Sequence, residues 1–373
     1  MTASHRLEVR RAHSARAEED LAVAELVRDL DVSGSSVVIF FCSPQYDLER
    51  LGAALAGSIT APLVGCTSAG QIASTGYVSG GITAVSLTSA ELRVTPYPLS
   101  SLADSTLTTE VGYRAVASLV NSPFKRAFGV LLLDGLAQAE ERVTATLYEA
   151  LGDVPVVGGS AASDAPDART FVYDGERFQT GAGVFLLFET SLPFATFKVQ
   201  HVTAGEPDIV VTEADADLRL VYELNGKPAA AEYARLLGVA RSALTPLLSS
   251  QRPLVLSLGD EHFVRGIRSV NADDSLTFSC AIETGLILSL GTPIDPLDAL
   301  SAGLARTKER VESPRIALAF DCVSRRLELE RSGRLAAVSA FLASHQVIGC
   351  CTFGEQFDAF HVNQTLTGVV IGG

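Results

Sequence analysis

Three times along the chain a short apolar run, a helical stripe and a second apolar run follow one another, and a further run closes the group. The first group opens with Val37-Val38-Ile39-Phe40-Phe41-Cys42, a β-branched and aromatic run too short for a helix and apolar enough to predict a strand buried on both faces. Asp47 predicts a helix cap, and Leu48, Leu51 and Leu55 fall on one stripe of the helix that follows. Pro62-Leu63-Val64-Gly65-Cys66-Thr67-Ser68-Ala69-Gly70 reads as a strand running into a loop of small residues, and residues 82–87 as the closing strand.

The second group repeats this with a strand at 129–134, a stripe of Val143, Leu147 and Leu151, a strand and glycine-rich loop at 155–164, and a closing strand at 183–188. The third has a strand at 316–321, a stripe of Leu335, Val338 and Leu342, a strand and loop at 347–355, and a closing strand at 366–371. Such recurrence predicts repeated βαββ units, with helices crossing over between parallel strands. The predicted class is α/β or mixed α+β, with largely parallel or mixed sheets flanked by helices.

Between the second and third groups the pattern changes. Residues 203–217 are acidic and read as irregular, marking the neighbourhood of a boundary between two domains at 30–202 and 215–373. After them Leu220–Leu224 predicts a strand, Asn225-Gly226 a turn, and Pro228 the first turn of a helix carrying Tyr233, Leu236 and Leu237. Leu254–Leu258, residues 275–282 and residues 286–290 predict further strands, and Asp295-Pro296 starts a helix with Leu300, Leu304 and Val311 on its inner face. The length of 373 residues suits two domains of about 150 residues each.

Composition narrows the function. A net charge of −14 repels nucleic acid and anionic lipid surfaces. No apolar run approaches the length that spans a bilayer, so no membrane insertion is expected. Arg6, Arg10, Arg11 and Arg16 are followed by no apolar segment of a signal peptide, which points to the cytoplasm and to reduced thiols at the six cysteines.

The familiar catalytic and metal signatures are missing. There is no phosphate loop of the G-x-x-x-x-G-K-[ST] type, no G-x-G-x-x-G turn, and residues 65–70 miss the nucleophile-elbow spacing by one position. No C-x-x-C, H-E-x-x-H or C-x-x-C-H occurs. Chemistry is instead expected at strand ends: Cys42, Asp134 and Cys322 after the first strands, and the loops at 65–70, 158–164 and 349–355 gathered around a shared hollow. An enzyme would use Cys66, Cys322 or vicinal Cys350-Cys351 as nucleophile, or Asp164 and Glu355 as acid and base. No constellation is complete, so the chain is read as a non-enzyme.

These residues resemble the FIST family, bacterial sensory domains with an N-terminal and a C-terminal part. The resemblance rests on VGCTSAGQI at 64–72, VGGSAASD at 157–164, YELNGKPA at 222–229, FVRGI at 263–267, AFDCVSR at 319–325, and GE at 354–355 followed by HVNQT at 361–365. Gln71 and Gly266 depart from it, since the family more often has acidic residues there. It implies a stand-alone cytoplasmic sensor that binds a small molecule and regulates a separate partner, a histidine kinase or a cyclic-di-GMP enzyme. The expected ligand residues are Cys66, Ser68, Ser160, Asp164, Arg265, Cys322, Arg325, Glu355 and Asn363, with Arg265 and Arg325 suited to a carboxylate and Glu355 to an amine. Some members bind b-type haem and sense nitric oxide, and His201, His262 and His361 are the axial candidates here.

Overall fold

A computed structural model describes residues 6–164 and 169–373. The repeating unit is larger than the predicted βαββ. Each copy begins with an extra strand and helix, Glu8–Ser14 and Glu19–Leu30 in the first, Leu92–Leu99 and Ser105–Leu119 in the second, Phe194–Gln200 and Pro296–Lys308 in the third. The predicted core of each unit then follows. Val37–Cys42 pairs in parallel with Leu63–Thr67, Arg126–Asp134 with Val156–Ala161, and Pro314–Cys322 with Val347–Thr352. Every other pairing is antiparallel, so the three sheets are mixed and each holds one parallel pair among the described residues.

The predicted caps and stripes form. The Asp47 side chain accepts from the amides of Glu49 and Arg50 at 3.1 Å, and Asp295 from those of Leu297 and Asp298. Along the first strands side chains alternate between two interiors. Val37, Ile39 and Phe41 join Phe128, Val130 and Leu132 and then Leu318 and Phe320 in one core shared by all three units. Val38, Phe40 and Cys42 point the other way, under the helices of their own unit, as do Leu131 and Leu133 in the second and Ala317 and Ala319 in the third.

The units are also interlocked. Each passes a short hairpin to the sheet of another: Gln71–Ala73 and Gly76–Val78 of the first extend the third sheet, Glu355–Phe357 and Phe360–Val362 of the third extend the second, and Val172–Tyr173 and Phe178–Gln179 of the second extend the first. The exchange is cyclic.

The stretch at 203–217 is not irregular. It belongs to the 14-residue strand Val202–Asp215, which opens an eight-stranded antiparallel sheet inserted into the third unit. Its register shifts between Ala204 and Asp208 and again around Glu213, and these bulges hide the two-residue alternation that announces a strand. Leu220–Leu224 and Leu254–Leu258 form as predicted, and Asn225 and Gly226 both take positive φ in the turn. The predicted strand at 275–282 shrinks to Leu276–Phe278. Val362 of the third unit's hairpin sits in the core of this sheet, tying it to the ring.

Candidate functional site

The three corners that follow the second strands do come together, but they close on one another instead of lining a hollow. The Ala162 amide donates to Thr67 O at 3.0 Å, Cys351 N to Gly70 O at 2.8 Å, and Phe353 N to Ser160 O at 3.1 Å. Small residues let the backbones approach this closely, and the exposed amides a ligand would need are used between units. The glycines expected in loops lie inside strands: Gly65, Gly158 and Gly349 are buried in Leu63–Thr67, Val156–Ala161 and Val347–Thr352.

Most of the expected ligand residues belong to this seal. Ser68 Oγ accepts from Gln71 Nε2 at 3.0 Å, and Ser160 Oγ from Gln356 Nε2 at 2.9 Å. Cys66 lies in the shared core. Arg325 is fully enclosed and donates to Asp321 at 2.8 Å, with the Tyr77 hydroxyl of the first unit's hairpin on the same carboxylate. Cys322 ends its strand beside Glu355. Arg265 and Asn363 are buried, Gly266 lies close to Asn363, and Asp164 is exposed.

All six cysteines are buried and free. Burial raises the thiols of Cys42, Cys280, Cys322 and Cys350 and pushes Cys351 up to about 12, which suppresses the thiolate that nucleophilic chemistry requires.

Glu355 is the most perturbed carboxyl of the seal. Burial pushes it up to about 8 against the opposing hydrogen bonds from Thr365 and Thr352. From the ordinary carboxyl range to about pH 8 the folded chain holds a proton there that the unfolded chain has lost, so stability falls as pH rises through that window. Glu355→Gln is expected to flatten this decline, gaining on the parent as pH rises from 5 to 9. Urea midpoints at several pH values read it, and an unchanged slope in the variant would clear Glu355 of the effect.

A cavity of about 280 Å³ lies to one side of the seal, where the second unit, the third unit and the inserted sheet meet. The second unit contributes Gly135 and Leu136 just past Asp134 at its strand end, and Glu140 from the helix that follows. The third unit contributes Val323, Ser324, Leu327 and Arg331 from one face of the helix Val323–Arg331, besides Phe353 and Gln364. The inserted sheet supplies Arg219, Gly266, Arg268 and Ser279. None of the nine expected ligand residues lines it. Three of them, Arg265, Cys322 and Asn363, are each followed in sequence by a residue that does.

One wall is held by an ionic clasp between the inserted sheet and the second unit. Arg219 Nη2 donates to Glu140 at 2.6 Å and to Glu141 at 2.9 Å, and Arg219 Nη1 to Ser279 O at 2.9 Å. The other oxygen of Glu141 accepts from the Ala281 amide at 2.7 Å. Burial opposes ionisation of Glu141, but His361 and Arg219 outweigh it and hold the carboxyl below its usual range.

The histidines are dispersed. His201 Nε2 lies 2.9 Å from Glu328, His262 Nδ1 lies 3.0 Å from Ser257 Oγ on an outer hairpin, and His361 is buried against Gly354 with neither ring nitrogen hydrogen-bonded. The cavity lining contains no histidine, cysteine, methionine or tyrosine, so its residues do not fit an axially ligated haem. Among the described residues no cluster of His, Cys, Asp and Glu could hold a metal ion, and no helix is long and apolar enough to cross a membrane.

The chain thus has a closed central seal and, beside it, an open cavity at strand ends. In family comparison, residues 36–227 match the FIST N domain and residues 229–358 the FIST C domain. The chain belongs to the FIST family, whose domains are small-molecule sensory modules rather than catalysts. The junction between the two matched parts falls within the inserted sheet, whose strands come from both sides of it. No curated protein matches the chain. The crystal structure of cyanuric acid hydrolase from A. caulinodans aligns over 98% of this chain and 99% of its own at 10% identity, with a TM-score of 0.37, too distant to bear on what this chain binds.

Proposed function

We propose that this protein is a cytoplasmic sensor whose small-molecule ligand occupies the cavity between the second unit, the third unit and the inserted sheet. Occupancy would be passed to a separate signalling partner, a histidine kinase or a cyclic-di-GMP enzyme. The observation that carries the reading is that the second unit, the third unit and the insert each supply part of one cavity, the first two through loops and helices at their strand ends. A ligand touching all three favours one arrangement of them over another, which is the differential binding that a population shift needs. The clasp of Arg219 on Glu140 and Glu141 crosses the same wall and links the insert to the second unit.

The test is a thermal-shift screen of small metabolites against the parent and against Ser324→Trp, which puts an indole into the cavity. A ligand at a hundredfold excess over its Kd is expected to stabilise the parent by about 2.7 kcal/mol. The variant should lose that gain while unfolding normally without ligand. Equal stabilisation of both proteins by every hit would move the binding site elsewhere.

A further inference from the structure

We infer that the cavity is built for a small organic acid, its oxyanion head met by Arg268 and Arg331 and its apolar body lying against Leu136 and Leu327. This rests on the reading of the cavity as the ligand site.

Charge is the first argument. The whole chain carries −14, yet the cavity lining has three arginines and one carboxylate. Arg219 is already satisfied by Glu140 and Glu141. Arg268 and Arg331, both exposed, take part in none of the ion pairs or hydrogen bonds among the described residues. Some exposed arginines elsewhere find carboxylates, as Arg16 finds Glu25, Arg50 finds Asp20 and Arg334 finds Asp295, while others such as Arg126 and Arg177 do not. Two guanidiniums without a carboxylate partner thus face one cavity, and their forked donors suit a carboxylate or a phosphate.

A buried group points the same way. Gln364 is 2% exposed, and its Nε2 donates to Ser250 O at 3.2 Å, which leaves Oε1 without a hydrogen-bond partner. Because Gln364 lines the cavity, a ligand carrying an N–H or O–H donor beside its acid group would satisfy it.

Apolar contact and size complete the description. Leu136 and Leu327 are 45% and 43% exposed, and both line the cavity. A volume of about 280 Å³ lies at the small end of ligand sites, which suits a compact acid with one ring or a short chain.

Calorimetric titration of the full chain at low salt with benzoate, phenyl phosphate, benzamide and benzylamine separates the arms. These four probes share one ring and differ in charge. At least one anion is expected to bind 10-fold or more tightly than benzamide, benzylamine should bind weakest, and the stronger of the two anions assigns the headgroup. Arg268→Gln with Arg331→Gln should erase most of the anion's advantage while leaving benzamide unchanged, and lysine at both positions should restore part of it. Benzamide binding as tightly as both anions, or the paired glutamine variant keeping their advantage, would overturn the inference while leaving the cavity as a ligand site. If no probe of any charge bound to the parent in a way that Ser324→Trp abolished, the cavity reading itself would fail and this inference with it.

Discussion

Replacing Arg325 by leucine is expected to destabilise the protein by about 3–5 kcal/mol, because it leaves the Asp321 carboxylate buried and without its charge partner. Asp321 is 0% and Arg325 1% exposed, so water cannot take over the lost interaction. The pair also does more than close a helix onto its strand. Tyr77 reaches Asp321 from the first unit's hairpin, and Arg325 Nη1 lies 3.3 Å from the same hydroxyl. The loss should therefore loosen the hairpin as well as the third unit. Tyr77→Phe removes both contacts of the hydroxyl but strands no charge partner, and should cost less, about 1.5–3 kcal/mol. Adding Asp321→Asn to Arg325→Leu should recover part of the stability, since the stranded charge goes with it. Urea midpoints of the three variants decide, and a loss below about 1 kcal/mol for Arg325→Leu would show that the pair is not holding the hairpin.

Gly349→Ala should be comparably damaging through a different cause. A Cβ at residue 349 would stand 1.7 Å from the Ala319 carbonyl oxygen and 2.7 Å from its carbon, both backbone atoms of the paired strand. No rotamer relieves such an overlap, so the parallel pair must separate. Overpacking a core usually costs about 1–3 kcal/mol, and a clash with backbone belongs at or beyond the top of that range. Gly57 gives the contrast. It lies in the helix Leu48–Ser58 with nothing within 4 Å of its added Cβ, so Gly57→Ala should stabilise by up to about 1 kcal/mol. Equal effects at the two positions, measured by denaturant unfolding, would falsify the steric account.

Local pattern carried much of the fold. The β-branched run Val37–Cys42 announced a strand covered on both faces, and the leucine stripes announced helices, because burial leaves a periodic trace. The exchanged hairpins left no such trace. Gln71–Ala73 is three residues long and finds its partner in Val347–Thr352, hundreds of positions away, and nothing local encodes that pairing. The candidate site shows the same limit at finer scale. The cavity also lies at strand ends, but Cys322, Arg265 and Asn363 are buried and it is their successors Val323, Gly266 and Gln364 that line it. The spacing of Ser324, Leu327 and Arg331 on one helical face was a legible signal that strand-end reasoning passed over. Arg268 and Arg331 carried none, since an arginine without a carboxylate partner is recognisable only when its neighbours in space are known.

The cyclic exchange of hairpins sets the order in which the ring can be finished during synthesis. The segment Gln71–Val78 leaves the ribosome long before its acceptor sheet exists, and that sheet stays open until Thr365–Gly372 slots between Phe194–Gln200 and Pro314–Cys322. Early segments must wait with unpaired edges, so the nascent chain is expected to be more exposed to aggregation than a protein built from sequential, self-contained modules.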